Sequence, residues 1–171
     1  MVIGWPKNKF SKGLCQGCIL GKHIEHKYER VSHERTHAPL ELVHSDIAGP
    51  FPHMSMIQSK YVLTFIDDFS RHCWVFFLKY KSEVFDLFKG FKALVKKQYG
   101  WNLKLLISDN GGEYVKSEFI QYCEDEGIQM QHSIPYTPQH NGVVERKNWS
   151  LNEMVTCMMD SKNFPPKFWD E

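Results

Sequence analysis

The chain has 171 residues, 42% hydrophobic and 14% aromatic, enough for one ordinary domain with a real core plus a short extra module. No stretch approaches the roughly 18 consecutive apolar residues of a membrane span, and the N-terminus lacks the basic start and apolar block of a signal peptide, so the reading is a soluble intracellular protein with no membrane partner. A net charge of +1 does not by itself mark a nucleic-acid binder.

The distribution of charge says more. Residues 1–37 carry seven Lys and Arg against three Glu, whereas the remainder carries 14 basic against 17 acidic residues. A basic arm ahead of an acid-bearing domain suits a polyanionic partner; a solvated tail is the plainer alternative. The five cysteines are Cys15, Cys18, Cys73, Cys123 and Cys157. An odd count, with three inside predicted core elements, argues against a disulfide framework. Cys73, Cys123 and Cys157 read as small buried side chains.

From residue 40 the chain alternates strands and helices. Leu40 to Ile47 is the first predicted strand. Tyr61 to Ile66 and Cys73 to Leu78 are continuous apolar runs, suited to strands covered on both faces, with a short turn at Asp67 to Arg71 between them. Ser82 to Gln98 reads as a helix capped by Ser82 and ended by Gly100. Its apolar stripe is Val84, Leu87, Phe88, Phe91 and Val95, with lysines opposite. Leu103 to Ser108 is a strand, Ser117 to Glu126 a second helix closed by Gly127, and Ile128 to His132 an edge or half-buried strand. Pro135 to Gly142 is a loop by its prolines and its Asn-Gly pair. A last helix runs from about Val143 to Met159, with Val144, Leu151, Val155 and Met158 as its buried stripe and Pro165 and Pro166 beyond its end. The pattern predicts an α/β fold, a mixed sheet flanked by helices.

Three carboxylates stand at the edges of these elements. Asp46 lies near the end of the first strand, Asp109 directly after the fourth, and Glu145 in the first turn of the last helix. Asp109 and Glu145 have 35 residues between them. Most of the 20 acids must be solvated surface charges, so each is unremarkable alone. Three that converge could hold a pair of Mg²⁺ or Mn²⁺ ions for phosphoryl transfer.

The neighbouring residues sharpen this. In chain order they are His44-Ser45-Asp46-Ile47-Ala48-Gly49-Pro50, Phe65-Ile66-Asp67-Asp68-Phe69-Ser70-Arg71, Ser108-Asp109-Asn110-Gly111-Gly112-Glu113-Tyr114, Tyr136-Thr137-Pro138-Gln139-His140-Asn141-Gly142 and Val144-Glu145-Arg146-Lys147-Asn148. Together they resemble the catalytic core of retroviral-type integrases, in the copia-type retrotransposon branch. The resemblance implies a ribonuclease H-like fold and metal-dependent DNA 3′-end processing and strand transfer. It implies Asp46, Asp109 and Glu145 as the catalytic, metal-binding triad, with two Mg²⁺ or Mn²⁺ ions. Asp67 and Asp68 belong to a family motif but sit in the hairpin, and are read as turn residues. Gln139, Asn141, Arg146, Lys147 and Asn148 offer contacts to DNA phosphates, which carry affinity rather than sequence choice. Trp149 departs from the pattern, where the family usually has a basic residue; it could stack on a base or pack locally.

Cys15 and Cys18 form a Cys-x-x-Cys pair. In the family such a pair closes an N-terminal zinc module whose histidines lie upstream, and no histidine precedes Cys15 here. The segment 1–37 is therefore expected to be a shortened remnant of that module, and 38–171 the catalytic core, itself cut short at its C-terminus. Zn²⁺ on Cys15 and Cys18, helped by His23 and His26, is the alternative to free thiols. The resemblance further implies DNA ends and target DNA as partners, a homo-oligomer when active, and action in the nucleus. The competing reading is a catalytically inactive or domesticated nucleic-acid-binding fragment of a retrotransposon polyprotein.

Overall fold

The computed structural model describes residues 36–132 and 142–171. Cys15, Cys18, Gln139 and Asn141 lie outside the described residues.

Five strands form one mixed sheet: β1 (Leu42–Ala48), β2 (Tyr61–Asp67), β3 (Cys73–Leu78), β4 (Leu105–Ser108) and β5 (Gln129–His132), in the order β3-β2-β1-β4-β5. β1 to β3 form an antiparallel meander; β4 and β5 run parallel to β1 and to each other. The short turn after Ile66 allows the antiparallel pairing. The parallel pairs are joined through helices, as such crossovers require. The helices are α1 (Val84–Tyr99), α2 (Ser117–Asp125) and α3 (Gly142–Lys162). No helix among the described residues is long and apolar enough to cross a membrane.

Alternation along the strands assigns the two faces of the sheet. One carries Val43, Leu63 and Phe65, all fully buried, and receives Val84, Phe88, Phe91 and Val95 of α1 with Phe119 and Cys123 of α2. Phe65 stacks on Phe91 at 4.4 Å between ring centroids, and Phe88 stacks on Phe119 at 4.9 Å. The stripe read from the sequence is thus the buried face of α1, with Leu87 at its half-buried margin. The opposite face, bearing His44, Asp46, Thr64 and Ile66, is met by α3.

Three local expectations need correction. Ser82 does not cap α1; it lies in a 3₁₀ turn, Lys81–Glu83, and no side chain caps either segment. The Glu83 carboxylate instead accepts the Lys79 N–H at 3.3 Å. The buried stripe of α3 is shorter than predicted, because only Val144 is fully buried and Met158 is 60% exposed. The helix packs on β1 and β2, where Asn148 bonds to Asp46 and Thr64, and beyond Val144 it buries no residue fully. Of the cysteines, Cys123 is buried but Cys73 and Cys157 are only half-buried. Burial pushes the Cys123 thiol up to about 11.

Gly100 ends α1 as predicted, at φ 70° and ψ 5°, with its N–H on Lys96 O at 3.0 Å. An alanine there would occupy a left-handed conformation that costs a side-chain-bearing residue roughly 1 kcal/mol. Gly100→Ala is expected to lower the unfolding free energy by that amount, seen as a lower urea midpoint at an unchanged slope of the transition. An unchanged midpoint would show that the helix end is free to refold.

The aspartates of the β2–β3 turn are structural, as read. Asp67 Oδ1 accepts the Leu40 N–H at 2.8 Å and Oδ2 accepts the Ser70 N–H at 2.9 Å. Asp68 meets Arg71 at 3.0 Å, His44 at 3.3 Å and the Thr36 N–H at 3.2 Å. Burial alone would raise the Asp68 carboxyl; Thr36, Arg71 and His44 together outweigh it and hold it below its usual range. The chain end after α3 returns over the sheet. Trp169 lies against Phe51 and Phe77 at centroid distances of 4.6 and 5.7 Å, and its indole N–H donates to His53 O at 2.8 Å.

Candidate active site

The parallel register of β1 and β4 brings two acids together. His44 pairs with Ile107, so two residues further along each strand stand Asp46 and Asp109. Asp46 projects from within β1 and Asp109 from the first residue after β4. Both are half-buried, at the end of the sheet where the parallel strands finish. Glu145 comes from the first turn of α3 and is exposed.

Asp46 responds to its surroundings and to the other two acids. Burial raises the Asp46 carboxyl above its usual range, and the charges of Asp109 and Glu145 push the same way, against hydrogen bonds from Asn148 and the Ile47 backbone. Among the described residues no three His, Cys, Asp or Glu side chains already stand at ion-holding distances. The donor set nonetheless fits a hard divalent cation. It is all carboxylate oxygen, and among the described residues none of the three acids forms an ion pair.

Beneath the acids lies a buried polar pair. Ser45 Oγ and the Tyr114 hydroxyl are 2.6 Å apart, and both residues are fully buried. Burial lifts the Tyr114 hydroxyl well above its usual range; Ser45 opposes this, and the charges of Asp109, Asp46 and Glu113 add to it. Tyr114 thus stays neutral and can only bridge. It also packs on Phe119 at 5.6 Å, tying the loop after β4 to α2.

That loop is tight because of Gly111. Its N–H donates to Asp109 Oδ1 at 3.1 Å. A Cβ at Gly111 would lie 2.6 Å from Glu113 Oε1 and 2.9 Å from Asp109 Oδ1. Glu113, buried and 3.5 Å from Lys81 Nζ, is therefore a fourth acid beside Asp109. The sequence reading did not single it out; the only signal was its place in the Asp-Asn-Gly-Gly-Glu-Tyr run.

Asn148, expected to contact DNA, is engaged within the protein. Its Nδ2 donates to Asp46 Oδ2 at 2.7 Å, and its Oδ1 accepts from Thr64 Oγ1 at 2.9 Å. The amide can face only this way, because an ionised carboxylate accepts and a hydroxyl must then donate to the carbonyl. Asn148 so ties α3 to two strands and orients Asp46 across 102 residues of sequence. Partners of ligand carboxylates are worth roughly 10- to 100-fold in metal affinity or activity. Asn148→Ala is expected to lose about that much strand-joining rate and to need more Mn²⁺ for half-maximal activity, with the fold intact by circular dichroism. A wild-type metal requirement would remove Asn148 from the site.

Arg146 and Lys147 follow Glu145 on α3. Arg146 is exposed, and its Nε donates to Gly142 O at 2.7 Å; Lys147 is half-buried. Trp149 is 51% exposed, so it is not a core residue.

Known proteins share this architecture and sequence. The chain superimposes on a chain of the simian T-cell lymphotropic virus intasome in complex with PP2A regulatory subunit B56 gamma, with a TM-score of 0.65 and 22% identity, covering 89% of this chain and 52% of that one. That likeness is one of fold. It is 46% identical over 157 residues to the retrovirus-related Pol polyprotein from transposon TNT 1-94 of Nicotiana tabacum, covering 92% of this chain and 12% of that protein. It is 35% identical over 156 residues to the Pol polyprotein from transposon RE2 of Arabidopsis thaliana, covering 91% of this chain and 10% of that protein. The chain thus spans about a tenth of the length of these relatives. The integrase core domain family matches residues 36–138, a span that holds Asp46 and Asp109 and stops short of Glu145. With its ribonuclease H-like mixed sheet and its copia-type motifs, the chain belongs to the integrase core domain family of retrotransposon Pol polyproteins.

Proposed function

We propose that this chain is a polynucleotidyl transferase core that processes DNA 3′ ends and joins them to target DNA, using Asp46, Asp109 and Glu145. The observation that supports the proposal is the parallel register that sets Asp46 of β1 beside Asp109 after β4, with Glu145 of α3 near enough to push the Asp46 carboxyl in the direction that burial already drives it. Asp46 and Asp109 would hold two Mg²⁺ or Mn²⁺ ions between them, and Glu145 would complete one coordination sphere. Such ions, when bound, activate the attacking oxygen and stabilise the leaving oxygen of an in-line displacement at phosphorus.

The chain's own residues orient and neutralise. Asn148 fixes one Asp46 oxygen, and the Gly111 N–H fixes one Asp109 oxygen. Arg146 and Lys147, beside Glu145, supply positive charge to a strand that all the acids would repel. In processing, water replaces the departing 3′ oxygen at phosphorus. In joining, a DNA 3′ hydroxyl does, so one phosphodiester is broken for one made. The partners under this reading are element ends and target DNA, met by more than one copy of the chain, in the nucleus. A zinc-module remnant over residues 1–37, with Cys15 and Cys18, and DNA contacts from Gln139 and Asn141 belong to the same proposal.

A branched DNA that resembles a half-joined product tests it, since a bare core can run joining in reverse. Resolution of the branch in Mn²⁺, abolished by chelator, is the expected result. A folded protein that binds this DNA without resolving it would favour the non-catalytic, nucleic-acid-binding reading.

A further inference from the structure

A hollow of about 390 Å³ lies on the flank of α3, lined by Ile66, Arg71, Val143, Arg146, Lys147 and Ser150. Three of these six residues are cations and none is acidic. They come from separate parts of the chain, Arg71 from the β2–β3 turn and the others from the first turns of α3. Ile66, fully buried, lies beneath the hollow, and half-buried Val143 borders it.

The cations are not all neutralised by the protein. Arg71 Nη1 stands 3.0 Å from Asp68 Oδ1, which His44 and Thr36 also share. Arg146 uses Nε on Gly142 O, so the donors at the end of its guanidinium are uncommitted by that bond. Lys147 forms no ion pair among the described residues. Guanidinium and ammonium donors lining one hollow suit a phosphate ester, whose charge they would take.

Position selects the source of that phosphate. Arg146 and Lys147 directly follow Glu145, so the hollow lies one helix flank from the acids. A strand reacting at Asp46 and Asp109 would carry its neighbouring phosphates past the first turns of α3, where the hollow opens. We infer that Arg71, Arg146 and Lys147 form a second phosphate site that grips the DNA strand beside the reacting phosphodiester. This rests on the polynucleotidyl transferase reading for its ligand, and it adds Arg71, from a turn of otherwise structural residues, to the DNA-binding surface.

The test is fluorescence anisotropy of the whole chain with a labelled duplex in chelator, from about 50 to about 200 mM salt. Lys147→Gln and Arg71→Gln are each expected to weaken binding several-fold and to flatten the dependence of log affinity on log salt by about one. Lys97→Gln, exposed on α1, is expected to change neither. Lys147 has no partner in the turn, so its variant stands even if Arg71→Gln loosens Asp68. Wild-type affinity and slope in Lys147→Gln would overturn the site, as would an equal loss in Lys97→Gln. Because no metal is present, a failed strand-joining assay alongside flattened slopes in Lys147→Gln and Arg71→Gln would remove the catalytic reading and leave the phosphate site. Strand joining with unchanged slopes would remove the phosphate site alone.

Discussion

Asp109→Asn is expected to abolish Mn²⁺-dependent strand joining while leaving a folded protein. The substitution keeps the shape of the side chain, and an asparagine Oδ1 can still accept the Gly111 N–H that Asp109 Oδ1 now accepts at 3.1 Å. What it removes is a negative charge that faces Asp46. The loss should exceed the roughly 10- to 100-fold expected for an outer partner such as Asn148. Thermal unfolding offers a second readout. An ion that binds only the folded chain raises its stability in proportion to the logarithm of saturation. Mn²⁺ should therefore raise Tm for the wild type and hardly at all for Asp109→Asn. In chelator the order should reverse or close, because the variant no longer holds mutually repelling carboxylates together. Joining at wild-type rate by Asp109→Asn would end the triad assignment, and a full Mn²⁺ shift in Tm would place the ion elsewhere.

The largest stability effect is expected at Phe65. It is fully buried on the inner face of β2, stacked on Phe91 at 4.4 Å and flanked by Phe76 at 5.8 Å and Phe88 at 6.0 Å. It pairs with Ser45 on β1, whose hydroxyl meets Tyr114. Truncation to alanine would open a cavity at the junction of β2, β3 and α1, where rings cannot collapse without leaving their rotamers. Such losses cost about 3–5 kcal/mol, against a total stability of roughly 5–15 kcal/mol for a domain. Phe65→Ala is thus expected to lower the urea midpoint by about a fifth or more, or to leave the chain unfolded at 37 °C. Phe77→Ala is the comparison. Phe77 is 38% exposed on the other face and touches only Trp169 among the aromatic rings of the described residues. A loss below about 1 kcal/mol at Phe65 would mean that the ring stack contributes little beyond what its neighbours recover by repacking.

The elements were largely legible because their signals are local. Continuous β-branched and aromatic runs mark β2 and β3, the stripe from Val84 to Val95 marks α1, and Gly100 marks its end. Where signals compete, the reading slipped. Ser82 is a good cap by type, but the chain enters α1 through a 3₁₀ turn and the cap position falls on Glu83. Met158 has helical spacing, but its burial depends on how far the sheet extends beneath α3, which no local pattern encodes.

By itself the sequence determined the element types, the motif order that marks the integrase core domain family, and which acids were candidates, because residue type and spacing carry that information. Only the tertiary structure decided strand order and register. These set Asp46 beside Asp109 through the parallel pairing of β1 and β4, strands separated by more than fifty residues of chain. The roles of Asn148, Glu113, Tyr114 and Arg71 were likewise out of reach. Each depends on a partner or neighbour from a different element, brought near by packing rather than by proximity along the chain.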